Sequence, residues 1–416
     1  MALPKKLQCV AQYALAFLKW CFLGILVGCI GGLLGAAFHH VLHSVTAIRS
    51  QFPWMVWLLP IGGVAGVGLY RLLRMQNNRG TNEIIDAVLQ EQPVKPQIAP
   101  GIFLSTCITH LFGGSAGREG AALQLGGSVA SSLGKLFKLE GQQLRIMIMT
   151  GMSAVFAGLF GTPMTAGIFI LEFMESGKLF SPALLPCFLS AYTASFVSGL
   201  LGVHAECVVL GSTLFTLANS WKYLLLALLV ALLGIAMCYM FHKAEHMAHK
   251  LLRNDYSRIF AGGILIALLT FAVGDHRFNG AGMDMALAAV EGNSQWYNFL
   301  LKLLFTAITL AIGFKGGEIV PTFCIGATFG ATIGSALGLD PGIAAALGLI
   351  GLFCAVTNAP LAAFVLSLEM FGTNNIYLFF LMCAVTFAFS GKSSLYASQR
   401  FYFPKFTQKE PATPHF

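Results

Sequence analysis

Residues 117–134, GREGAALQLGGSVASSLG, lie without a gap over residues 317–334, GEIVPTFCIGATFGATIG. Gly117, Gly126 and Gly134 then meet Gly317, Gly326 and Gly334. The same offset puts Thr106, Ile108 and Thr109 on Thr306, Ile308 and Thr309. Further on, residues 159–173 (LFGTPMTAGIFILEF) match residues 356–370 (VTNAPLAAFVLSLEM), so that Pro163 meets Pro360 and Glu172 meets Glu369. Two motifs in one order at nearly one spacing indicate a duplicated chain. Duplicated halves broken at corresponding places point to a transporter with its site near the bilayer midplane. The residues alone leave open whether the halves are parallel or inverted.

The chain has 416 residues, 56% of them hydrophobic and only 10% charged. A water-soluble domain of this length could not hide so much apolar surface, so lipid is the solvent and the class is an all-α, polytopic membrane protein. Apolar runs fall at about 20–45, 54–73, 99–114, 121–137, 146–173, 181–202, 221–242, 258–274, 297–314, 322–338, 342–356, 359–371 and 376–391. Several fall short of the roughly 20 residues that a straight crossing needs. Short Gly/Pro-broken segments survive at membrane depth only inside protein or beside a watery cavity. One membrane domain is expected over 1–416, with a first repeat at 15–200, a second at 221–400 and a short polar tail at 403–416. Basic residues gather at span ends, among them Lys5, Lys6, Arg71, Arg74, Arg79, Lys243, Lys250, Arg253, Arg400 and Lys405. The positive-inside rule puts those segments and both termini in the cytoplasm. The net charge of +8 contains no Lys/Arg run long enough to track nucleic acid. Lys19 interrupts the first apolar run, which argues against a cleaved signal peptide. The ten cysteines contain no CxxC pair and read as core thiols.

Glu119 sits among small and apolar residues, where an ionisable group is costly and usually lines an ion or proton path. The glycines on either side of Arg118-Glu119 leave backbone N–H groups open to an anion just before a helix begins. Two further breaks look able to converge with this one. Gly80-Thr81-Asn82 opens a short helix that Thr81 or Asn82 would cap. Gly316-Gly317-Glu318-Ile319-Val320-Pro321 places a proline in the first turn of the next helix. Helix N-termini aimed at one point offer partial positive charge without a buried Lys or Arg, so an anion binds yet can leave.

These residues resemble the CLC family of chloride channels and anion/proton antiporters over nearly the whole chain. The resemblance rests on GREG at 117–120, GGEIVP at 316–321, FGTP at 160–163 before Glu172, and APLAAFVLSLEM at 359–370. It is closer to the fluoride/proton antiporters, through the loop Gly80-Thr81-Asn82 and the run Lys315 to Glu318. The resemblance implies an inverted-repeat CLC-type fold acting as a homodimer in a bacterial inner membrane, with one ion path per subunit and no cofactor. It implies that Glu119 gates, its carboxylate competing with the anion, and that fluoride, or chloride, exchanges against protons. Implied anion contacts are the amides around Gly117, Arg118, Gly120, Ile319 and Val320, with Thr81 or Asn82 and the Tyr396 hydroxyl.

The chain also departs from that pattern. Many chloride/proton antiporters carry an acid just after the position of Glu172; here it is Phe173. Glu318 has no counterpart in ordinary chloride members and reads as a second gate, a proton relay or an acceptor of backbone hydrogen bonds. Plainer readings stand beside these. Glu119 could pair with Arg118, and Arg118 could tie down carbonyls or Glu172. Glu172 and Glu369 read as caps or pairs near the cytoplasmic ends of their helices. Residues His39, His40 and His43, and His242, His246 and His249, share helix faces, but no acid or Cys completes a metal set, so interfacial histidines are expected. Lys302 reads as snorkelling or buried in a pair. An intramembrane enzyme using Glu119 would need a nucleophile or metal that the sequence lacks.

Overall fold

The computed structural model describes residues 5–213, 216–402 and 405. The first half comprises α1 (Lys5–Gln51), α2 (Leu59–Leu72), α3 (Thr81–Leu89), α4 (Ile98–Leu111), α5 (Glu119–Leu136), α6 (Gly141–Phe160), α7 (Pro163–Glu172) and α8 (Leu184–Leu200). The second half repeats the series as α9 (Leu217–Leu251), α10 (Asp255–Val273), α11 (Met283–Val290), α12 (Asn298–Ala311), α13 (Ile319–Ala336), α14 (Pro341–Thr357), α15 (Pro360–Phe371) and α16 (Ile376–Phe389). Among the described residues, seven helical stretches are long and apolar enough to cross a membrane, while α4, α7, α12, α14, α15 and α16 are shorter apolar helices.

The halves are inverted. Gly117 and Gly317 form an antiparallel bridge, each N–H donating to the other's carbonyl at 2.7 and 2.8 Å. The outer ends of α7 and α15 repeat the relation. Glu172, ending α7, accepts from the amides of Leu361 and Ala362 at 3.1 and 2.9 Å, opening α15. Glu369, late in α15, accepts from Met164 and Thr165 at 2.9 and 2.8 Å, opening α7. Each carboxylate thus satisfies orphan N–H groups at the positive end of the other helix. Capping is what the sequence suggested, but the two caps lie at opposite ends of an antiparallel pair. They therefore cannot both be at the cytoplasmic side.

Glycines set the closest approach between helices. A Cβ on Gly126 would lie 2.1 Å from the Gly151 carbonyl oxygen, and one on Gly326 would lie 2.5 Å from that of Gly348. The α5–α6 and α13–α14 crossings are thus backbone on backbone, the small-residue packing that lipid-embedded helices use. The expected single run over 146–173 is broken in two, because Gly161 adopts φ 69° at the end of α6 and Pro163 starts α7. Sequence reading missed α11, whose eight residues are too few for apolar periodicity to show. The segment after α16 folds back between the halves. Arg400-Phe401 pairs in parallel with Glu175-Ser176, and Gln399 donates to the carbonyls of Phe173 and Thr357. Most of the expected tail lies outside the described residues.

Candidate functional site

The site forms where the inverted halves meet. The bridge between Gly117 and Gly317 brings the first turns of α5 and α13 face to face. The first amides of each helix have no acceptor within it, so both positive ends look onto one small volume. Contrary to the expectation from the sequence, Gly117 has no amide to offer an anion, because its N–H is spent on the Gly317 carbonyl. Its role is spatial. A Cβ on Gly117 would stand 2.3 Å from Glu119 Oε2, and one on Gly317 would stand 2.5 Å from the same oxygen and 2.8 Å from the amide nitrogens of Glu119 and Gly120.

Glu119 is the first residue of α5 and is fully buried. Neither carboxylate oxygen has a hydrogen-bond partner among the described residues. The amides of Glu119, Arg118 and Val320 approach it without closing a bond of normal geometry. The ion pair with Arg118 is not formed. Instead, the Arg118 guanidinium lies 3.4 Å from His39 Nδ1 and 5.2 Å from the centre of the Phe160 ring. Nor does Arg118 reach Glu172, whose oxygens are taken by α15.

Two cavities flank this centre. The larger, about 550 Å³, is lined by Thr81, Asn82, Glu318 and Tyr396, with Arg71, Arg79 and Lys315 among its basic groups. The smaller, about 40 Å³, is lined by Glu119, Arg118, His39, Thr162, Thr165 and Glu206 among others, and shares His39, Arg118 and Glu206 with a wide opening beyond. Helix α10 starts at the large cavity with Asp255 and Arg258 and is followed at the wide opening by Asp275 and Arg277. Nineteen residues span about 28 Å, so the cavities open on opposite faces.

On the basic side, Thr81 lies against α5, its hydroxyl 2.9 Å from where a Gly120 Cβ would be. Neither Thr81 nor Asn82 caps α3, contrary to expectation. Gly80 is the N-cap, with φ 62°, and the Asn82 side-chain oxygen accepts from the Ser398 amide at 3.0 Å. Asn78, unsuspected from sequence, orders this turn by accepting from Gly80 N and donating to Glu83. Asn82 therefore keeps its amide nitrogen while fastening the segment that carries Tyr396. The Tyr396 hydroxyl is buried with no partner among the described residues, and its ring stands edge-on to Phe173 at 5.4 Å. Phe173 is itself buried and stacked on Phe169 at 4.5 Å. Half-buried Glu318 precedes α13 and lines the large cavity; Ile319 and Val320 follow in the first turn.

Lys302 neither snorkels nor pairs with a carboxylate. Fully buried, its ammonium donates to Ser115 Oγ at 2.9 Å, Gly280 O at 2.6 Å and Phe278 O at 3.3 Å. Three oxygens satisfy its three N–H bonds and tie α12 to the loop just before Gly117. Lys302→Met should lower stability by about 3 kcal/mol, because the buried acceptors lose their donor. Heat-induced aggregation in detergent would report it, and an unshifted midpoint would mean that the loop holds without the ammonium. His39 and His242 also face protein, at Arg118 and the Ser394 carbonyl, rather than the lipid interface. Glu206, Thr162 and Thr165 were missed because single polar residues in a linker or short helix leave no periodic signal.

The voltage-gated chloride channel family model matches residues 61–391. The "Chloride/fluoride channel protein" of Pseudomonas syringae pv. tomato is 34% identical over 391 residues, covering 92% of this chain and 86% of the relative. A solved CLC-type fluoride/proton antiporter superposes with a TM-score of 0.89 at 32% identity, covering 92% of this chain and 98% of the other. A slow cyanobacterial Cl−/H+ antiporter shares the fold with a TM-score of 0.78 at 22% identity, covering 89% and 94% of the two chains.

Proposed function

Since this chain belongs to the CLC voltage-gated chloride channel family, an integral-membrane family of anion/proton antiporters and channels, we propose that it exports fluoride in exchange for protons. The observation that carries the reading is the Glu119 carboxylate, buried without a partner between two glycines and two helix N-termini. An ionised carboxylate there occupies the place of an anion. Protonated, it loses its attraction to the amides and yields to one. Occupancy by fluoride thus requires a proton, which couples the two fluxes.

Fluoride is small and strongly hydrated, so its site must replace lost water with short hydrogen bonds. First-turn amides of α5 and α13, including those of Gly120, Ile319 and Val320, supply some. The Asn82 amide, the Thr81 hydroxyl and the Tyr396 hydroxyl supply the rest from the basic side. That side faces the cytoplasm by the positive-inside rule, where Arg71, Arg79 and Lys315 concentrate anions at the entrance. Glu318, at the boundary of cavity and site, passes protons to the cytoplasm in place of the acid that Phe173 replaces. Two copies form a homodimer in the bacterial inner membrane, each with its own path and its own pair of repeats.

Fluoride-loaded liposomes test this directly. Fluoride efflux far faster than chloride efflux, with matching proton uptake, is the expected result. Equal halide rates would indicate a chloride transporter, and current independent of protons would indicate a passive channel, the activity named for the Pseudomonas relative. Tyr396→Phe should weaken fluoride binding by about tenfold, the worth of one hydrogen bond to an anion, while protein yield holds. Calorimetric titration with fluoride measures it, and unchanged affinity would leave backbone amides as the ligands.

A further inference from the structure

The linker between the halves crosses the face opposite the basic cavity and is pinned there. Val208 N donates to Met370 O at 2.8 Å, Cys207 Sγ to Glu369 O at 3.3 Å, and Asn374 and Asn375 side chains hold Leu210 and Gly211. Gly161 packs so closely beneath it that a Cβ would lie 2.6 Å from Ala205 N. This clamping brings exposed Glu206 to the mouth of the small cavity that ends at Glu119. Two further groups point to water there. Thr162 and Thr165 are buried, line the cavity, and their hydroxyls have no partner among the described residues.

We propose that Glu206 and this hydroxyl-lined cavity form a proton antechamber that feeds Glu119 from the outer solution. The idea rests on the antiport reading above and adds the outer proton path to it. The cavity's 40 Å³ has room for about three water molecules, enough to link two carboxylates through threonine hydroxyls. Its remaining walls include Phe156, Phe323, Phe353 and Leu366, and Arg118 stands inside it. A hydronium ion entering alone would meet both an apolar lining and a positive charge. A carboxylate at the mouth offsets that charge and holds the proton until it is passed on. Glu206 takes a proton from outer water. It releases that proton through the cavity water to the Glu119 carboxylate, and returns to the ionised form. The ionisable groups facing Glu206 are Arg118 at the start of α5, Asp284 on α11, His39 on α1 and His204 in its own linker.

Glu206→Gln keeps the shape and the exposed position, so folding should be unaffected. In fluoride-loaded liposomes the variant should take up protons about tenfold more slowly, less than the roughly 100-fold or more lost with a group at the reacting centre, because cavity water can still reach Glu119 unaided. The deficit should deepen as the outer solution is made more alkaline, and Glu206→Asp should restore much of the rate. Thr162→Val, which removes a hydroxyl at near-constant shape, should slow uptake in the same direction. A Glu206→Gln rate equal to wild type throughout an outer-pH series would overturn the antechamber while leaving antiport intact. Absence of coupled uptake in the wild type would sink both.

Discussion

Glu119→Gln is expected to yield a folded protein that no longer moves protons with fluoride. The amide has the carboxylate's shape, and the native oxygens have no hydrogen bond to lose among the described residues, so stability should hold or rise. Replacing a buried carboxyl that has no normal hydrogen bond by a neutral group removes a desolvation cost larger than its long contacts to the amides of Glu119, Arg118 and Val320. What disappears is the ability to alternate between an anion mimic and a neutral side chain, and proton uptake per fluoride should drop by about 100-fold, the usual scale for an acid–base group. Parallel recordings of fluoride and pH in one liposome preparation measure the ratio. Wild-type coupling in the variant would refute the gate assignment. Loss of both fluxes would instead mean that the neutral side chain blocks the path.

Gly317→Ala should damage transport out of proportion to its size. The added methyl carbon would stand 2.5 Å from Glu119 Oε2 and 2.8 Å from two amide nitrogens. The carboxylate can swing away, but the backbone cannot without breaking the two hydrogen bonds that join Gly117 and Gly317. Overpacking of this kind costs about 1–3 kcal/mol, and here it falls on the link that positions both helix N-termini. Fluoride transport should fall by at least about tenfold even where the protein is recovered, since a shift of an ångström at such a site is enough. A variant with normal flux would show that the two N-termini need not meet so closely.

Much of this arrangement can be read before any coordinates exist. The offset between residues 117–134 and 317–334 announces duplication, because each half must bend its backbone in the same place. Pro163, Pro360 and Pro321 mark first turns, since proline lacks the N–H that those positions leave unused anyway. Glu119 stands out because a carboxyl in an apolar run needs a reason. Other features could not be completed from sequence because their partners are remote in it: the caps were expected, but not which helix each one closes. Lys302 finds its oxygens at Ser115, Phe278 and Gly280, and the caps at Glu172 and Glu369 reach across some 190 to 205 residues.

Composition and periodicity by themselves determined a membrane-embedded, duplicated helical protein with one suspicious carboxyl, because the bilayer and the helix impose rules on neighbouring residues. The inversion of the halves was implied only through the family resemblance; the loss of Gly117's amide to its twin and the meeting of Glu206 with Glu119 at one cavity were decided by the tertiary structure alone. Those outcomes depend on which distant backbones touch. Contact between residues far apart in sequence leaves no local trace in the chain.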